Sequence, residues 1–513
     1  MALDETLERH STASDTPHFD VLVIGAGLSG IGAAYHLQKH CPDLSYAILE
    51  GREALGGTWD LFKYPGVRSD SDMYTLGYRF FPWTEAKAIA DGPSIKNYVE
   101  RTAQEYRITE KIRFNNWVTD FSWSSRDAVW TVTTNTADGE KTYTCDFVWN
   151  CSGYYKYSEG YLPEYPGIEN FDGQLVHPQN WPDDLDYTGK KVVVIGSGAT
   201  AVTLIPSMAD KTEHITMLQR SPTYMYAMPA TSALAKWLSG FLPNSMTYRI
   251  MRWQRILLQQ IMFKWIRATP KASRKKLMDQ ARIKLGSSFD VDKHFGPDYA
   301  PWDQRICLVP DDDLYKSIKA GKASVVTDNI EAFEKGGICL KSGAFLEADI
   351  VVSATGLILE ALGGASVKMD GNDVRFGDRY TYKGLMFEGV PNLVSVFGYT
   401  NASWTLRADL VSDFTTRLLN HMRATGNAIA VPENDDPNMP KDPFLDFSSG
   451  YVKRAEAILP KQGNWPWRHP QDYFRDLFSL RHGKVDDGIL KLRRRPDQAA
   501  SEQANETKQL AAE

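Results

Sequence analysis

Two glycine-rich turns, each between an apolar strand-like run and a helix-like run, constrain this chain of 513 residues more than any other feature. The first, FDVLVIGAGLSGIGAAYHLQKH, has Gly25, Gly27 and Gly30 at the G-x-G-x-x-G spacing. The first glycine permits a tight turn, the second lets backbone approach a pyrophosphate, and the third allows close helix–strand packing. The next strand, YAILE, ends on Glu50, whose carboxylate can accept hydrogen bonds from ribose hydroxyls. The pattern predicts a dinucleotide site rather than a purely structural glycine turn.

The same architecture recurs at KKVVVIGSGATAVTLIPSMAD, where Gly196, Gly198 and Ala201 give G-x-G-x-x-A. The strand that follows, ITMLQR, ends without an acid; Arg220 stands near that position, with Ser221 beside it. An acid there would repel the 2′-phosphate of NADP(H), whereas an arginine fork binds a phosphate. The second unit is therefore interpreted as an NADPH site, and a solvated surface charge is the alternative for Arg220.

Two dinucleotide units imply two cofactors, and electron transfer between them is the simplest function. Just past the first acid comes GREALGGTWDLFKYPGVRSDSDMYTL, a long glycine- and aromatic-rich loop with little helical period. Such a loop can wrap an isoalloxazine ring, so the first unit is predicted to bind FAD. The expected fold class is α/β, with two Rossmann-like dinucleotide-binding domains.

Two segments that resemble each other, DFVWNCSGYY (146–155) and DIVVSATGLI (349–358), suggest where the chain changes domain. Each is an Asp, an apolar strand, a small residue and Gly, as expected for strands that end at a cofactor. The FAD domain is then discontinuous, with the NADP domain inserted in it. The predicted ranges are 18–158 and 363–490 for the FAD domain, 159–362 for the NADP domain with a helical insertion at about 228–300, and 491–513 for a tail disordered at its end.

The net charge of -6 does not suggest nucleic acid as a partner, but the charge is unevenly distributed. From Lys236 to Leu285 the chain has twelve Lys or Arg and one acid, so this segment carries +11 and the remainder -17. Within it, IMRWQRILLQQIMFKWI has apolar residues at helical spacing. Two interpretations stay open: a helical insertion that packs its aromatics onto the domain, or a basic amphipathic surface that touches an anionic membrane or a lipid-like substrate.

The five cysteines are an odd number, widely spaced and without a C-x-x-C, which argues against a disulfide framework, a structural zinc site and a dithiol redox centre. The polar N-terminus has no apolar core, so no secretory signal is expected. No apolar run approaches the ~20 residues that span a bilayer. A cytoplasmic protein is predicted; its oligomeric state is left open.

Between the two units lies FDGQLVHPQNWP, which matches the signature F-x-G-x-x-x-H-x-x-x-W-[P/D] through Phe171, Gly173, His177, Trp181 and Pro182. With the two cofactor units and the flavin loop, it resembles the Baeyer–Villiger class of flavin-containing monooxygenases, from about residue 19 to 485. Runs such as GGTWDLF, HFGP, PWDQR and GYTNASWTL are similar to the bacterial branch that includes the ethionamide-activating monooxygenase of mycobacteria.

The resemblance implies a reaction in which NADPH reduces FAD, O2 gives a C4a-peroxyflavin, and a ketone becomes an ester or lactone. Thioethers and thiocarbonyls are expected as further substrates. By family position, Arg305 in PWDQR is the fixed cation beside the flavin, and Asp70 in VRSD orients it. Many relatives have Lys before that arginine; Gln304 stands here. An N- or S-oxygenating flavin monooxygenase and an NADPH-dependent flavoprotein reductase or oxidase are the alternatives.

The resemblance also assigns cofactor contacts. Besides the glycines, FAD is expected to touch Ser29, Glu50, Thr58, Trp59, Asp60, Asp70 and Val118. NADP is expected to touch Arg68, Ser69, Asp70, Gly196, Ser197, Gly198, Ala199, Thr200, Ala201, Val202, Arg220 and Ser221. No metal is predicted, because no second ligand stands at ligand spacing near His177. The histidine is expected to hold the connector by hydrogen bonds.

Overall fold

Two sheets with parallel strands beside the glycine turns organise the chain, as described by a computed structural model for residues 16–445 and 449–496. Elements are numbered in chain order. The first sheet contains β1 (His18–Ile24), β2 (Tyr46–Leu49), β3 (Ile112–Arg113), β4 (Trp117–Ser124), β5 (Val129–Thr136), β6 (Gly139–Asn150), β17 (Ser366–Met369), β18 (Asn372–Asp373) and β21 (Leu393–Ser395). Its order is β18-β17-β4-β5-β6-β1-β2-β3, and β21 also pairs with β6.

The second sheet contains β7 (Gln174–Val176), β8 (Lys191–Ile195), β9 (His214–Gln219), β12 (Ala323–Thr327) and β16 (Ile350–Ser353). Its order is β12-β9-β8-β16-β7, and every pair is parallel. In both sheets the strand before the glycine turn lies centrally: β1 between β2 and β6, and β8 between β9 and β16. Ligands of such sheets bind at the carboxyl ends of the strands. The predicted α/β fold class is confirmed.

The remaining described strands form a three-stranded sheet and four pairs. The three-stranded sheet contains β13 (Ile330–Glu334), β14 (Gly337–Leu340) and β15 (Phe345–Glu347). The pairs are β10 (Met225–Met228) with β11 (Cys307–Pro310), β19 (Thr381–Tyr382) with β20 (Met386–Phe387), β22 (Ile429–Pro432) with β25 (Leu490–Arg493), and β23 (Asp442–Pro443) with β24 (Lys461–Gln462). The helices are α1 (Leu28–His40), α2 (Thr58–Leu61), α3 (Met73–Leu76), α4 (Gly92–Glu105), α5 (Ala199–Met208), α6 (Ala233–Ser239), α7 (Asn244–Ala268), α8 (Pro270–Leu285), α9 (Val291–Phe295), α10 (Asp313–Lys319), α11 (Trp404–Thr425), α12 (Gly450–Ala455) and α13 (Tyr473–Asp476).

Two crossing segments connect the sheets: residues 151–160 follow β6, and residues 354–360 follow β16. They run antiparallel beside each other, because Lys156 N donates to Ile358 O (2.9 Å) and Glu360 N donates to Tyr154 O (3.0 Å). Residues 366–395 return to the first sheet through β17, β18 and β21. The strands thus alternate between sheets in the order expected for a discontinuous first domain, while the residue boundaries of the domains stay predictions.

The C-terminal boundary at residue 491 does not coincide with the end of regular structure. Strand β25 pairs antiparallel with β22, and Leu490 is fully buried. The strand has only two apolar residues, alternating with Lys and Arg, and a basic run follows it. The sequence therefore resembles a polar tail, which explains why the boundary was predicted before the strand ends. Residues 497–513, the rest of the predicted tail, lie outside the described residues.

The basic insertion forms helices α6 to α9 between β10 and β11. The first interpretation, that the insertion packs its aromatics onto the domain, holds for Tyr248, which is buried. It does not hold for Trp237 and Trp253, which are 65% and 50% exposed. That interpretation is therefore correct for one face of α7 only. None of the described helices has the length and apolar character needed to cross a membrane.

Candidate functional site

A cavity opens at the carboxyl ends of β1, β2 and β6, where residues of both halves of the chain meet. Helix α1, the flavin loop and the first crossing segment form its walls. The predicted residues that line it are Gly25, Gly27, Ser29, Glu50, Thr58, Trp59, Arg68, Ser69, Asp70, Val118 and Arg305. The structure thus brings together most of the predicted FAD contacts with both predicted catalytic residues.

The first glycine turn needs its glycines for space. Gly25 has φ +96°, and a Cβ there would lie 2.8 Å from the Cys151 carbonyl oxygen. A Cβ on Gly30 would collide with the carbonyl oxygen of Gly25. Helix α1 begins after Gly27 without a side-chain cap, so its first backbone N–H groups are available to a ligand. Such an end is suited to bind an anion.

Glu50 holds this turn in place. Its carboxylate accepts hydrogen bonds from Ala26 N (2.7 Å) and Arg52 N (3.0 Å). Burial raises the pKa of the carboxyl, and the two backbone donors oppose that rise. A ribose contact of Glu50 stays a prediction, since the structure shows the carboxylate bound to its own turn.

Asp60, another predicted FAD contact, does not line the cavity. Its carboxylate is buried and pairs with Arg52 (2.7 Å) and Lys96 (2.7 Å). This carboxylate therefore ties α2 to α4, and its predicted role at the cofactor has no support from the position of the side chain.

Asp70 and Arg305 approach the cavity from different parts of the chain. Burial raises the pKa of Asp70, and the guanidinium groups of Arg305 and Arg68 oppose that rise. For Arg305, burial alone would lower the pKa, but the phenols of Tyr154 and Tyr451 and the carboxylate of Asp70 outweigh it, so the pKa is raised. Both side chains are accessible through the cavity, yet protein surrounds them on the other sides. The result is a permanently charged cation facing a cavity beside a carboxylate.

The second glycine turn repeats the geometry of the first. Gly196 has φ +135°, and a Cβ there would collide with the carbonyl oxygen of Ala354, which follows β16 as Cys151 follows β6. Helix α5 begins after Gly198 without a side-chain cap, and open space surrounds the Cβ position of Gly198. Ala201 is fully buried. This turn also presents an open helix N-terminus, the feature expected of a second phosphate site.

The other predicted NADP contacts lie around this second turn. Ser197 Oγ is 2.7 Å from Thr223 Oγ1 and donates to Ser221 O (3.1 Å). Ala199, Thr200 and Val202 form the first turn of α5. Arg220 follows β9 directly and is exposed, and within the described ranges its side chain forms no ion pair or hydrogen bond. Its guanidinium is thus available to an anion beside the turn.

The flavin loop links the two units. Tyr64 hydrogen-bonds to the Thr200 side chain and packs in the core of the second unit, and burial raises the pKa of Tyr64 to about 12. Arg68 lines the cavity and forms an ion pair with Asp313 of α10 through one terminal nitrogen. Its other terminal nitrogen, Nη2, is buried and has no hydrogen-bond partner among residues 16–445 and 449–496. The cavity therefore contains a cationic nitrogen that a bound group can satisfy.

The signature connector fastens both crossing segments. Gln179 N donates to His177 Nδ1 (3.2 Å), so Nε2 carries the proton and donates to Gly356 O (3.2 Å). The Gln179 side chain donates to Lys156 O (2.8 Å) and Tyr157 O (3.1 Å). Burial lowers the pKa of His177, as expected for a neutral imidazole. This histidine fastens the connector to the returning segment, as the sequence predicted.

The remaining signature residues serve packing. Phe171 packs on Phe333, with ring centroids 5.6 Å apart. Gly173 is required by close approach, since a side chain there would collide with Asp349 O. Trp181 packs partly buried against the second core, and Pro182 is exposed. None of the five signature residues lines the cavity.

Several cavity residues were not predicted individually: Ser152, Tyr154, Tyr155, Tyr157, and Trp404 of the run GYTNASWTL, from which pocket residues were expected. The tyrosine ring at 154 stacks on the indole at 404, with centroids 5.1 Å apart and planes at 13°. The Trp404 Nε1–H donates to Ser29 Oγ (2.8 Å). The signal in the sequence is position: most of these residues follow β6, whose carboxyl end lies beside the first glycine turn.

Among residues 16–445 and 449–496, one cluster of metal-ligating side chains lies apart from the cavity. His36, His40 and Asp413 have ligand atoms within 4.8 Å of one another. Asp413 already pairs with Arg79 (3.2 Å) and Arg481 (2.5 Å). Two guanidinium groups beside the carboxylate of Asp413 oppose binding of a cation, so the prediction that the protein uses no metal is unchanged.

Comparison with known proteins identifies relatives of this architecture. A model of the flavin-binding monooxygenase-like family matches residues 19–362. The "FAD-containing monooxygenase EthA" of Mycolicibacterium smegmatis is 53% identical over 478 residues, which are 93% of this chain and 97% of the relative. An open crystal structure of cyclohexanone monooxygenase has a TM-score of 0.75 at 19% identity, covering 93% of this chain and 100% of that one. A structure of OTEMO in complex with FAD and NADP has a TM-score of 0.72 at 20% identity, with the same coverage.

These matches confirm the resemblance and the enzyme class predicted from the sequence. FAD and NADP, the predicted cofactor pair, are the two groups bound in the OTEMO complex. The family match covers both glycine turns, the connector and Arg305. This chain therefore belongs to the flavin-binding monooxygenase-like family and is a flavin-dependent monooxygenase.

Proposed function

We propose that this enzyme is an FAD- and NADPH-dependent Baeyer–Villiger monooxygenase of the cytoplasm, which converts ketones and O2 to esters or lactones and also oxidises thioethers and thiocarbonyls. The observation that carries the proposal is the pair Asp70 and Arg305, which faces one cavity beside the first glycine turn. A permanent cation at this place suits chemistry in which negative charge develops on oxygen.

The cavity fits a flavin dinucleotide by three features. The N-terminus of α1 is uncapped beside it. Arg68 Nη2 and Ser152 Oγ are buried cavity-lining atoms that no described residue satisfies. Gly27 and Gly57 both line the cavity, and a Cβ on Gly57 would lie 3.1 Å from Gly27 Cα. Glycine at position 57 therefore keeps the space between these two residues open. These features support binding of FAD by the predicted contacts that line the cavity, while the second turn and Arg220 support binding of NADPH.

FAD, when bound, would accept a hydride from NADPH and pass the two electrons to O2, so that one oxygen atom of O2 enters the substrate and the other leaves as water. The chain's own residues do the rest. The Arg305 guanidinium stays protonated and stabilises negative charge on the carbonyl oxygen that is attacked. Asp70 orients this guanidinium by charge and partly neutralises it. The stacked rings of Tyr154 and Trp404 form an apolar wall that limits water at the reacting centre.

Replacement of Arg305 tests the proposal. In Arg305→Ala, ester formation should fall by at least ~100-fold, as on removal of an electrostatic stabiliser. Reduction of the flavin by NADPH under anaerobic conditions should stay largely intact. The matched control is Arg282→Ala, an exposed arginine of α8 that pairs with Asp279 and Asp292 outside the cavity. Products from linear, cyclic and aryl ketones and from thioethers are identified directly, because NADPH consumption alone also reports uncoupled oxidation.

The outcomes separate the alternatives. Ester formation at the wild-type rate in Arg305→Ala would contradict the proposed role of the cation. Oxidation of thioethers without ester from any ketone in the wild type would favour an S-oxygenating enzyme. Release of peroxide with no oxygenated product would favour a reductase or oxidase.

A further inference from the structure

Helices α6 and α7 of the basic insertion expose large apolar side chains to solvent. We call the following six residues the outer face: Trp237, Phe241, Ile250, Trp253, Leu257 and Ile261. Each is at least 42% exposed, and Trp237 reaches 65%. The rings of Trp237 and Phe241 are in contact, with centroids 4.8 Å apart. Six large exposed apolar side chains on two helices that pack against each other indicate an interaction surface rather than ordinary scatter.

The outer-face residues of α7 form one stripe. Ile250, Trp253, Leu257 and Ile261 are separated by three or four positions, so they share a side of the helix. A second apolar stripe, which includes Met251 and Ile256, is fully buried. The helix is therefore apolar on two sides, and only one of them is covered by the rest of the described chain.

A buried arginine fixes which side of α7 is covered. Arg252 Nη1 donates to Gly77 O (2.6 Å) and Tyr74 O (3.0 Å), and its Nη2 pairs with Asp409 (3.1 Å). Rotation of the helix to bury the outer face would expose this network and leave Asp409 without its guanidinium. The exposure of the outer face is thus built into the fold.

Positive charge borders the outer face. Lys236 and Arg249 are exposed, stand next to Trp237 and Ile250 in sequence, and form no ion pair with any residue that the structure describes. The segment from Lys236 to Leu285 carries +11. Two copies of this face brought together would place like charges against each other, whereas an anionic lipid surface complements them. A helix with aromatic and aliphatic residues on one side and cations beside them is the pattern of a protein element that lies in a membrane interface.

We propose that the outer face docks on the surface of an anionic phospholipid bilayer, with Trp237 and Phe241 entering the headgroup region and Lys236 and Arg249 meeting lipid phosphates. The inner side of α7 contacts the cavity loops. Gln259 Nε2 donates to Asp72 (3.3 Å), two residues after Asp70. Docking therefore holds a loop of the cavity close to the bilayer.

The test is co-sedimentation of the full-length flavin-loaded protein with vesicles of phosphatidylcholine, either pure or mixed with phosphatidylglycerol. The wild type should bind the mixed vesicles, and added salt should weaken binding. The triple variant Trp237→Glu/Phe241→Glu/Ile261→Glu should lose at least ~10-fold in partitioning, since burial of even one large apolar side chain is worth about that factor. Lys236→Glu/Arg249→Glu should lose at least ~10-fold on mixed vesicles only, because each cation contributes about fivefold near an anionic surface.

Matched controls come from the three-stranded sheet of β13, β14 and β15. Phe345→Glu replaces a phenylalanine that is 44% exposed, and Lys341→Glu reverses an exposed charge outside the insertion. Both should bind vesicles as the wild type does. Flavin content and the thermal unfolding midpoint of each variant confirm that the variants are folded.

Three results would overturn the proposal. The first is a wild type that sediments with neither vesicle. The second is a folded triple variant that still binds as tightly as the wild type. The third is a wild type that is dimeric without vesicles and becomes monomeric in the triple variant, since the outer face would then be an interface between copies of this chain.

Discussion

His177 is the side chain whose replacement most directly tests how the two dinucleotide units are joined. Its ring accepts a hydrogen bond from Gln179 N and donates one to Gly356 O, both 3.2 Å long. Gly356 belongs to the segment that returns from the second unit, and Gln179 holds the segment that leaves the first. We predict that His177→Ala weakens the folded state and lowers the fraction of NADPH oxidation that yields oxygenated product.

The magnitude follows from these contacts. Each hydrogen bond contributes about 1 kcal/mol net, so loss of both costs about 2 kcal/mol of unfolding free energy. In the variant Gly356 O still accepts a hydrogen bond from Tyr161 N (3.1 Å), so the free-energy loss at this acceptor lies toward the lower end of the range for one hydrogen bond. The pKa of His177 is lowered by burial, and protonation of Nδ1 would remove the acceptor for Gln179 N. The neutral His177 ring therefore contributes its full share of the unfolding free energy at pH values above the pKa of the unfolded state, about 6.5. This contribution is lost as pH falls through the lower pKa of the folded state.

The assay is urea unfolding at several pH values, together with product formed per NADPH consumed. His177→Asn should retain the acceptor for Gln179 N and lose about half as much stability as His177→Ala, since Asn is a good N-cap. The difference between the wild type and His177→Ala should shrink below pH 6.5. His18→Ala, which removes an exposed histidine bonded to Thr144, is the control and should change stability by less than ~0.5 kcal/mol. Unchanged stability and unchanged coupling in His177→Ala would refute the reasoning.

Two further predictions concern single arginines. Arg220→Ala should lower the ratio of kcat/KM for NADPH to that for NADH by at least ~10-fold, because a charge-assisted phosphate contact is lost; steady-state kinetics with both cofactors measure it, and an unchanged ratio would exclude a 2′-phosphate site there. Arg252→Met should lower the free energy of unfolding by about 3 kcal/mol or more, because Asp409 stays buried without its partner. Urea unfolding measures this loss, with Arg249→Met, an exposed arginine one turn earlier in α7, as the control; equal stability of the two variants would contradict the buried-pair argument.

The glycine turns could be predicted from the sequence because the steric demand that selects glycine is local. Gly25 and Gly196 both need a positive φ and a close approach to the carbonyl after a neighbouring strand. In the first unit the third glycine, Gly30, also avoids a collision with the turn, whereas the second unit tolerates Ala201. A short spacing pattern therefore contains most of the information about where strand, turn and helix begin.

The walls of the cavity could not be predicted in this way because they are non-local. Tyr154 stacks on Trp404, which lies in another part of the sequence, and no periodicity connects the two. The resemblance assigns Asp60 to FAD, and this assignment stays a prediction. In the fold the Asp60 carboxylate pairs with Arg52 of the same loop and with Lys96 of α4, and the contact with α4 is again non-local. For α7, both sides of the helix are apolar, so the sequence alone leaves open which side is buried. The pairing of Arg252 with Asp409 decides it, and that contact depends on the folded chain.

Arg305 lies outside both glycine turns, in a loop that α7 contacts. Helix α7 therefore connects the outer face to a proposed catalytic residue. Arg305 lies in the loop before β11, and α7 packs on that loop at two points: Phe263 against Trp302, with ring centroids 5.5 Å apart, and Arg267 against Asp303 at 2.9 Å. The same helix is anchored to the flavin loop through the bond of Arg252 to Tyr74 O. Because α7 contacts the loops of both proposed catalytic residues, we expect a shift of α7 against either loop to change the relative position of Asp70 and Arg305. Coverage of the outer face by a bilayer would restrain α7 from its solvent side, so the proposed docking surface and the proposed catalytic pair depend on one structural element.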